Sequence, residues 1–324
     1  MKINRYVVIC SAVLLITGLA GCSSPDAGEG RPKISFVTTV VTDAYWQQAK
    51  CAGQATADDL GFDFDFQGPQ AFDVAAQLQT LAAVTQAKPD ALVVVPTDPN
   101  SFVAPVQAAL DAGIPVVTQD GKLTDPIDAQ NVRTDGAKAG AMAADALGEL
   151  MSGTGQVLVQ GTVSSIPTLA ARVDGFVAQM AEKFPDIDVL PTQYSNGSVS
   201  KSASDAENVI RANPGVTGVY SVTSFEAGPT ANGLTAAGVL GDVNWVAWDT
   251  TEAEIGLLKD GSIDALVAQD PVGQTKAALT SAYELATGAK TTDDLEKEVF
   301  IPATLVTLDN LEDDDIRPLY EISC

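Results

Sequence analysis

The feature that most constrains this chain is the repetition of one unit: a short run of apolar and β-branched residues, then a longer segment with helical spacing. The spacing predicts a strand at 34–38, a helix at 44–60 stopped by Gly61, and a strand at 62–66. Asp73 caps a helix through Gln86, with Leu78, Leu81 and Ala82 three or four residues apart along one face. Residues 91–95 are apolar on both faces, as befits a strand buried in a parallel sheet. A helix at 101–112 ends at Gly113 and leads into a strand at 115–118. The scheme continues with helices at 137–151, 168–183, 200–211, 225–237, 252–259 and 272–287, and strands at 156–160, 188–190, 216–220, 245–248 and 265–268. Strands alternating with helices of such lengths predict an α/β fold with parallel sheets. About ten strands overfill one open sheet, so two Rossmann-like lobes are expected.

The N-terminus reads as an export signal. Lys2 and Arg5 precede an apolar stretch at 7–20 that is shorter than a membrane span, followed by Leu19-Ala20-Gly21-Cys22. A cysteine directly after Leu-Ala-Gly resembles the bacterial lipobox. That implies a signal peptide at 1–21, lipidation of Cys22, and a small-residue tether at 22–32. The expected location is outside the cytoplasm, held to the bacterial cell membrane by lipid and not spanning it.

Composition then excludes several functions. The chain has 18 basic and 42 acidic residues, a formal charge of −24, and the leader carries only positive charge. Such a surface repels phosphate backbones, so no nucleic-acid partner is expected. There is no histidine, which removes Ser-His-Asp and Cys-His catalysis and imidazole zinc sites. Cys10 leaves with the leader and Cys22 takes the lipid. Cys51 and Cys324 remain as an even pair in an oxidising compartment, read as a structural disulfide. No cofactor or metal is called for, and the acidic run at 312–315 reads as a solvated loop.

In open α/β sheets, ligands sit beyond the carboxyl ends of the strands. The polar groups just after each predicted strand are Thr38, Thr39 and Asp43; Thr97 and Asp98; Gln119 and Asp120; Thr162 and Ser164; Thr223; Asp249; and Gln269 with Asp270. Carboxylates accept hydroxyl protons, Arg and Gln supply donors, and the aromatic pair Tyr45-Trp46 can cover a CH face. This inventory suits a neutral polyhydroxyl ligand. Each aspartate also has an ordinary reading as a helix N-cap, Tyr45 and Trp46 as core residues, and Arg172 as one half of a surface ion pair.

Several ordered motifs resemble the type I periplasmic solute-binding proteins, in their ribose-binding-like branch. They are Val37-Thr38-Thr39 with Asp43-Ala44-Tyr45-Trp46; Lys88-Pro89-Asp90 running into Val95-Pro96-Thr97-Asp98; Ala112-Gly113-Ile114-Pro115 leading to Gln119-Asp120; Ala171-Arg172-Val173-Asp174-Gly175-Phe176; Trp248-Asp249; and Ala268-Gln269-Asp270-Pro271. The resemblance covers roughly 33–308. It implies a monomeric two-lobed clamp that captures a monosaccharide or sugar-like polyol and delivers it to the permease subunits of an ABC transporter. By the same resemblance Asp120, Arg172, Asp249 and Gln269 hold hydroxyls, with Thr223 beside them. Asp43, Tyr45 and Trp46 form the wall of the first lobe. The chain departs from that pattern at Gly121, where an arginine is common, at Gly197, where an aromatic is usual, and at Thr223, which replaces an asparagine. The departures imply a roomier, less donor-rich cleft that could take a larger or different polyol, hexose or pentose in place of ribose.

The expected division is a first lobe of 33–134 plus 270–297 and a second of 135–269 plus 298–324, with crossings near Thr134, Gln269 and Lys297. Three other functions compete: a carboxylate-pair glycosidase, a sugar-dependent transcription regulator of the same fold, and an accessory that reports ligand occupancy to a membrane sensor. The regulator would need a DNA-binding helix-turn-helix where this chain has its leader.

Overall fold

The computed structural model describes residues 30–321 and Cys324; the leader and the lipobox, Cys22 included, lie outside the described residues. No described helix is long and apolar enough to cross a membrane.

Two sheets organise the chain. The first contains β1 (Lys33–Val37), β2 (Asp63–Gln67), β3 (Ala91–Val94), β4 (Val116–Gln119) and β5 (Gln130–Thr134), with the late strand β12 (Glu298–Ile301). Their order is β12-β5-β4-β3-β1-β2 and all pairs are parallel. Helices α1 (Ala44–Leu60), α2 (Val74–Ala87), α3 (Val103–Asp111) and α9 (Pro271–Ala286) belong to this lobe. The helix pairs cover opposite faces, giving one core around Phe36, Phe62 and Leu279 and another around Leu81, Leu92 and Phe102. Local chemistry fixes the ends of the helices. Asp43 accepts from the Tyr45 N–H at the start of α1, and Gly61 ends it at φ 81°, a backbone region that disfavours any Cβ.

The second sheet contains β6 (Gly155–Gly161), β7 (Ile187–Val189), β8 (Gln193–Tyr194), β9 (Val216–Ser221), β10 (Asn244–Trp248), β11 (Ala265–Ala268) and β13 (Thr304–Thr307). Its order is β13-β11-β10-β9-β6-β7, with β8 also paired to β6. The helices are α4 (Gly136–Leu150), α5 (Pro167–Lys183), α6 (Val199–Ala212), α7 (Ser224–Ala237) and α8 (Glu252–Lys259). The α/β fold with two lobes of parallel strands matches expectation.

Two features differ from the sequence reading. Strand β13 runs antiparallel to β11 at the sheet edge, where a strand needs no crossover helix. The third crossing, expected near Lys297, falls between Ile301 and Thr304, because Glu298–Ile301 pairs with Asn131–Thr134 and completes the first sheet. The C-terminal segment then packs Leu311, Ile316 and Leu319 into the core of the second lobe.

Strand order reverses between β1 and β3 in the first sheet and between β6 and β9 in the second. A crevice forms at such a switch point, beyond the carboxyl ends of the strands.

Candidate functional site

Seven of the eight expected site residues sit just beyond strand ends or at helix starts, and Arg172 lies in the second turn of α5. Asp120 follows β4 and Asp249 follows β10, and both hold left-handed backbone, at φ 58° and 69°. That conformation is uncommon for a residue with a Cβ, though Asp tolerates it better than most.

The Asp249 carboxylate is held from two sides. One oxygen accepts from Gln269 Nε2 at 2.8 Å and the other from the Ser224 N–H at 3.1 Å. Two expected residues are therefore bonded to each other across β10 and β11. Thr223 faces Thr162 at 3.0 Å between their hydroxyl oxygens.

Arg172, only 6% exposed, lies over the ring of Trp248 at 3.7 Å from its centroid. Its Nη1 donates to the Val222 carbonyl at 3.1 Å, and among the described residues it forms no ion pair. A guanidinium carries five donors, so most of its hydrogen-bonding capacity is left over. The surface ion pair that competed for Arg172 is not what forms.

Charges from the two lobes act on one another here. Burial raises the Asp120 carboxyl above its ordinary value and Asp249 adds to that, while Arg172 and Arg133 pull it down. Burial likewise raises Asp43, the like charge of Asp249 adds to the rise, and the Tyr45 and Trp46 N–H groups lower it. The Tyr45 phenol is pushed well up by burial and by Asp120 and Asp249. Its hydroxyl, the Thr38 hydroxyl and Gln269 Oε1 are buried without a protein partner.

The remaining expected residues sit differently. Trp46 is a core residue, packed 6.4 Å from Phe36 and edge-on to Tyr45 at 4.8 Å, in place of the free wall expected of it. Asp43 is an N-cap whose carboxylate is engaged at 2.9 Å by the Tyr45 N–H, yet it lies close enough to feel Asp249. Of the wider set, Asp98 is spent on the Asn100 and Ser101 N–H groups and Thr97 on Gln77.

Residues 34–290 match the periplasmic binding protein domain. The chain belongs to that family. It is 26% identical over 273 residues to the ribose import binding protein of Salmonella typhimurium, covering 84% of this chain and 88% of the relative. A solute-binding protein of an Agrobacterium vitis ABC transporter, solved with α-D-tagatopyranose, superposes with a TM-score of 0.84 at 28% identity, covering 90% of this chain and all of that one. One from Agrobacterium radiobacter, in complex with D-arabinose, gives 0.81 at 26%, covering 91% and 100%.

Within this family framework two of the chain's glycines gain a physical reason. A Cβ at Gly121 would collide with the Pro96 carbonyl, and the Gly121 carbonyl accepts from Asn131 Nδ2 at 2.7 Å. No side chain fits there. Gly197 holds φ 76° with open space around it.

Sequence reading missed the platform behind Arg172. Trp248 Nε1 donates to the Tyr220 hydroxyl at 2.6 Å, and Tyr220 stacks on Phe176 at 4.1 Å. The available signal was the aromatic immediately before the strand-end Asp249. It also missed Arg133, whose charge reaches Asp120.

Proposed function

We propose that this protein captures a neutral monosaccharide or polyol between its lobes, outside the cytoplasm, and delivers it to the permease of an ABC importer. The observation that carries the proposal is the convergence of Asp120 from one lobe with Arg172 and Asp249 from the other, with Arg172 donors left over and the Tyr45 hydroxyl and Gln269 Oε1 unpartnered. A buried polar group without a partner costs about 1–3 kcal/mol, which a hydroxyl-rich ligand recovers. Asp120, Arg172, Asp249 and Gln269 bind hydroxyls in this reading, with Thr223 and Tyr45 beside them and Asp43 at the margin. The relatives that bind ribose, tagatose and arabinose support the ligand class. The open Gly197 supports a roomier site than one with an aromatic at that position.

A thermal-shift screen of pentoses, hexoses and alditols tests this, since a ligand bound only by the folded state raises the melting point. One or more should do so, and calorimetry then gives the affinity. A flat response across the panel, with amino acids or purines stabilising the protein instead, overturns the sugar reading.

Three further parts of the proposal concern the chain's setting. Cys22 carries the lipid anchor, so Cys22→Ser should move the protein from the membrane fraction to the soluble one. The protein acts as a monomer, which light scattering on the purified chain checks. Cys51 and Cys324 are joined by a disulfide, supported by their Cα separation of 4.9 Å. Mass analysis without reductant should find no free thiol on either.

A further inference from the structure

On the flank where α1 faces α8 lies a chamber of about 410 Å³, within the ~300–1,000 Å³ range of small-molecule sites. It is continuous with the cleft, because Tyr45, Asp249 and Gln269 line it too. Beyond these, polar residues such as Gln48 and Tyr320 share the lining with Ala44, Ile255, Pro271 and Leu319, and the surface exposed to the chamber is mainly apolar. Apart from Gln48, Gln269 Oε1 and the Tyr45 hydroxyl, most polar groups along the wall are already engaged among the described residues. Thr250 Oγ1 donates to the Leu319 carbonyl at 2.6 Å, the Thr251 hydroxyl donates to Glu254, and Asp249 accepts on both oxygens. Apart from Asp249, charge appears only at the exposed residues Glu252 and Lys259.

A second sugar ring placed here would find only Gln48, Gln269 Oε1 and the Tyr45 hydroxyl for its hydroxyls and would bury the rest unpaired. An apolar group meets no such penalty and gains by leaving water. The Tyr45 hydroxyl, a donor buried without a partner, belongs to the residue that lines both compartments. A glycosidic oxygen can only accept, so it complements that donor. We infer that the chamber receives an apolar substituent carried by the sugar, and that the preferred ligand is an alkyl or aryl glycoside over the free sugar. This rests on the reading of the adjoining cleft as a sugar site.

The test is calorimetry on the mature chain with D-ribose, D-arabinose, D-allose and D-tagatose, each free and as its methyl and phenyl glycosides. For at least one sugar that binds free, the phenyl glycoside should bind about tenfold tighter. Ala44→Leu and Ala44→Phe, which fill the chamber, should abolish that gain and leave free-sugar affinity within about threefold. The inference is overturned if a free sugar binds while all its glycosides bind more weakly, or if the gain survives in a filled variant. If a melting curve shows both variants unfolded, the wild-type pair of free sugar and glycoside decides alone. Binding of neither form is a different failure: it removes the sugar reading itself, and this inference with it.

Discussion

Asp120 and Asp249 stand just past strand ends, so shortening them should spare the fold, whereas Arg172 lies in the second turn of α5 against Trp248 and its loss should also cost some stability. Each alanine variant leaves ligand hydroxyls or a neighbouring charge without a partner, at about 1.5–3 kcal/mol, or ten- to a hundredfold in affinity. Calorimetry with the best ligand from the screen, beside a melting curve for each variant, checks both halves of that expectation. Trp46→Ala should behave oppositely. Its ring is packed among Phe36 and the first-lobe core, so the loss is stability, about 3–5 kcal/mol by analogy with other buried aromatics. The contrast shows what residue types and positions disclose. Asp120 and Asp249 were legible because packing alone seldom puts a carboxylate directly after an apolar strand. The fate of Trp46 was not, because a ring at a helix start turns inward or outward according to Phe36, which approaches it only once β1 and α1 have packed. The Tyr220–Trp248 platform was hidden for the same reason: two buried strand residues read as core until Arg172 is laid over one of them.

At the scale of elements, the α8 N-terminus carries a titratable device. Thr251 and Glu254 form a reciprocal capping box, with the Thr251 N–H donating to Glu254 at 3.1 Å. Burial, reinforced by Asp249, raises the Glu254 carboxyl to about 7, against the bonds from Thr251 that lower it. A carboxyl raised on folding binds its proton more tightly in the native state. Its contribution is therefore complete below its ordinary value of 4.5 and is lost as pH rises through about 7. Stability of the unliganded protein should decline across that window, and Glu254→Gln, which keeps the box, should flatten the decline. Denaturant melts from pH 5 to 8 compare the two; identical slopes would remove Glu254 as the source. The helices were the most legible elements, since their apolar spacing and caps such as Asp73 and Ser198 are written locally. Strand β5 was not. Its Gln130 and Asn131 look like loop residues, but each spends its side chain inside the lobe, Gln130 on the Glu296 carbonyl and Asn131 on Thr118 and Gly121. Partners supplied by distant segments make polar residues acceptable in an interior strand, and no local pattern announces them.

For the whole molecule, crossings at 134–136, 268–271 and 301–304 are where the lobes are expected to hinge, with contacts to a ligand completed only in the closed form. Small-angle scattering should report a smaller radius of gyration on adding a saturating ligand; an unchanged value would argue against closure. The Cys51–Cys324 bond would close a loop spanning a sequence separation of 273, and in the chain-entropy model such a link is worth roughly 3–5 kcal/mol. Reduction, or Cys51→Ser with Cys324→Ser, should lower the melting midpoint accordingly.

The late arrival of β12 has a consequence for biogenesis. A chain emerging N-terminus first presents β1 to β5 early, yet the β5 edge waits for Glu298–Ile301, and α9, which packs on β3, β4 and β5, comes only shortly before. The second lobe likewise waits for β13 and for Leu311, Ile316 and Leu319. Neither lobe has its full sheet and core until residues 298–319 have joined it. Until then β5 offers an unpaired edge of the kind that recruits other strands. The two lobes should therefore complete their folding together.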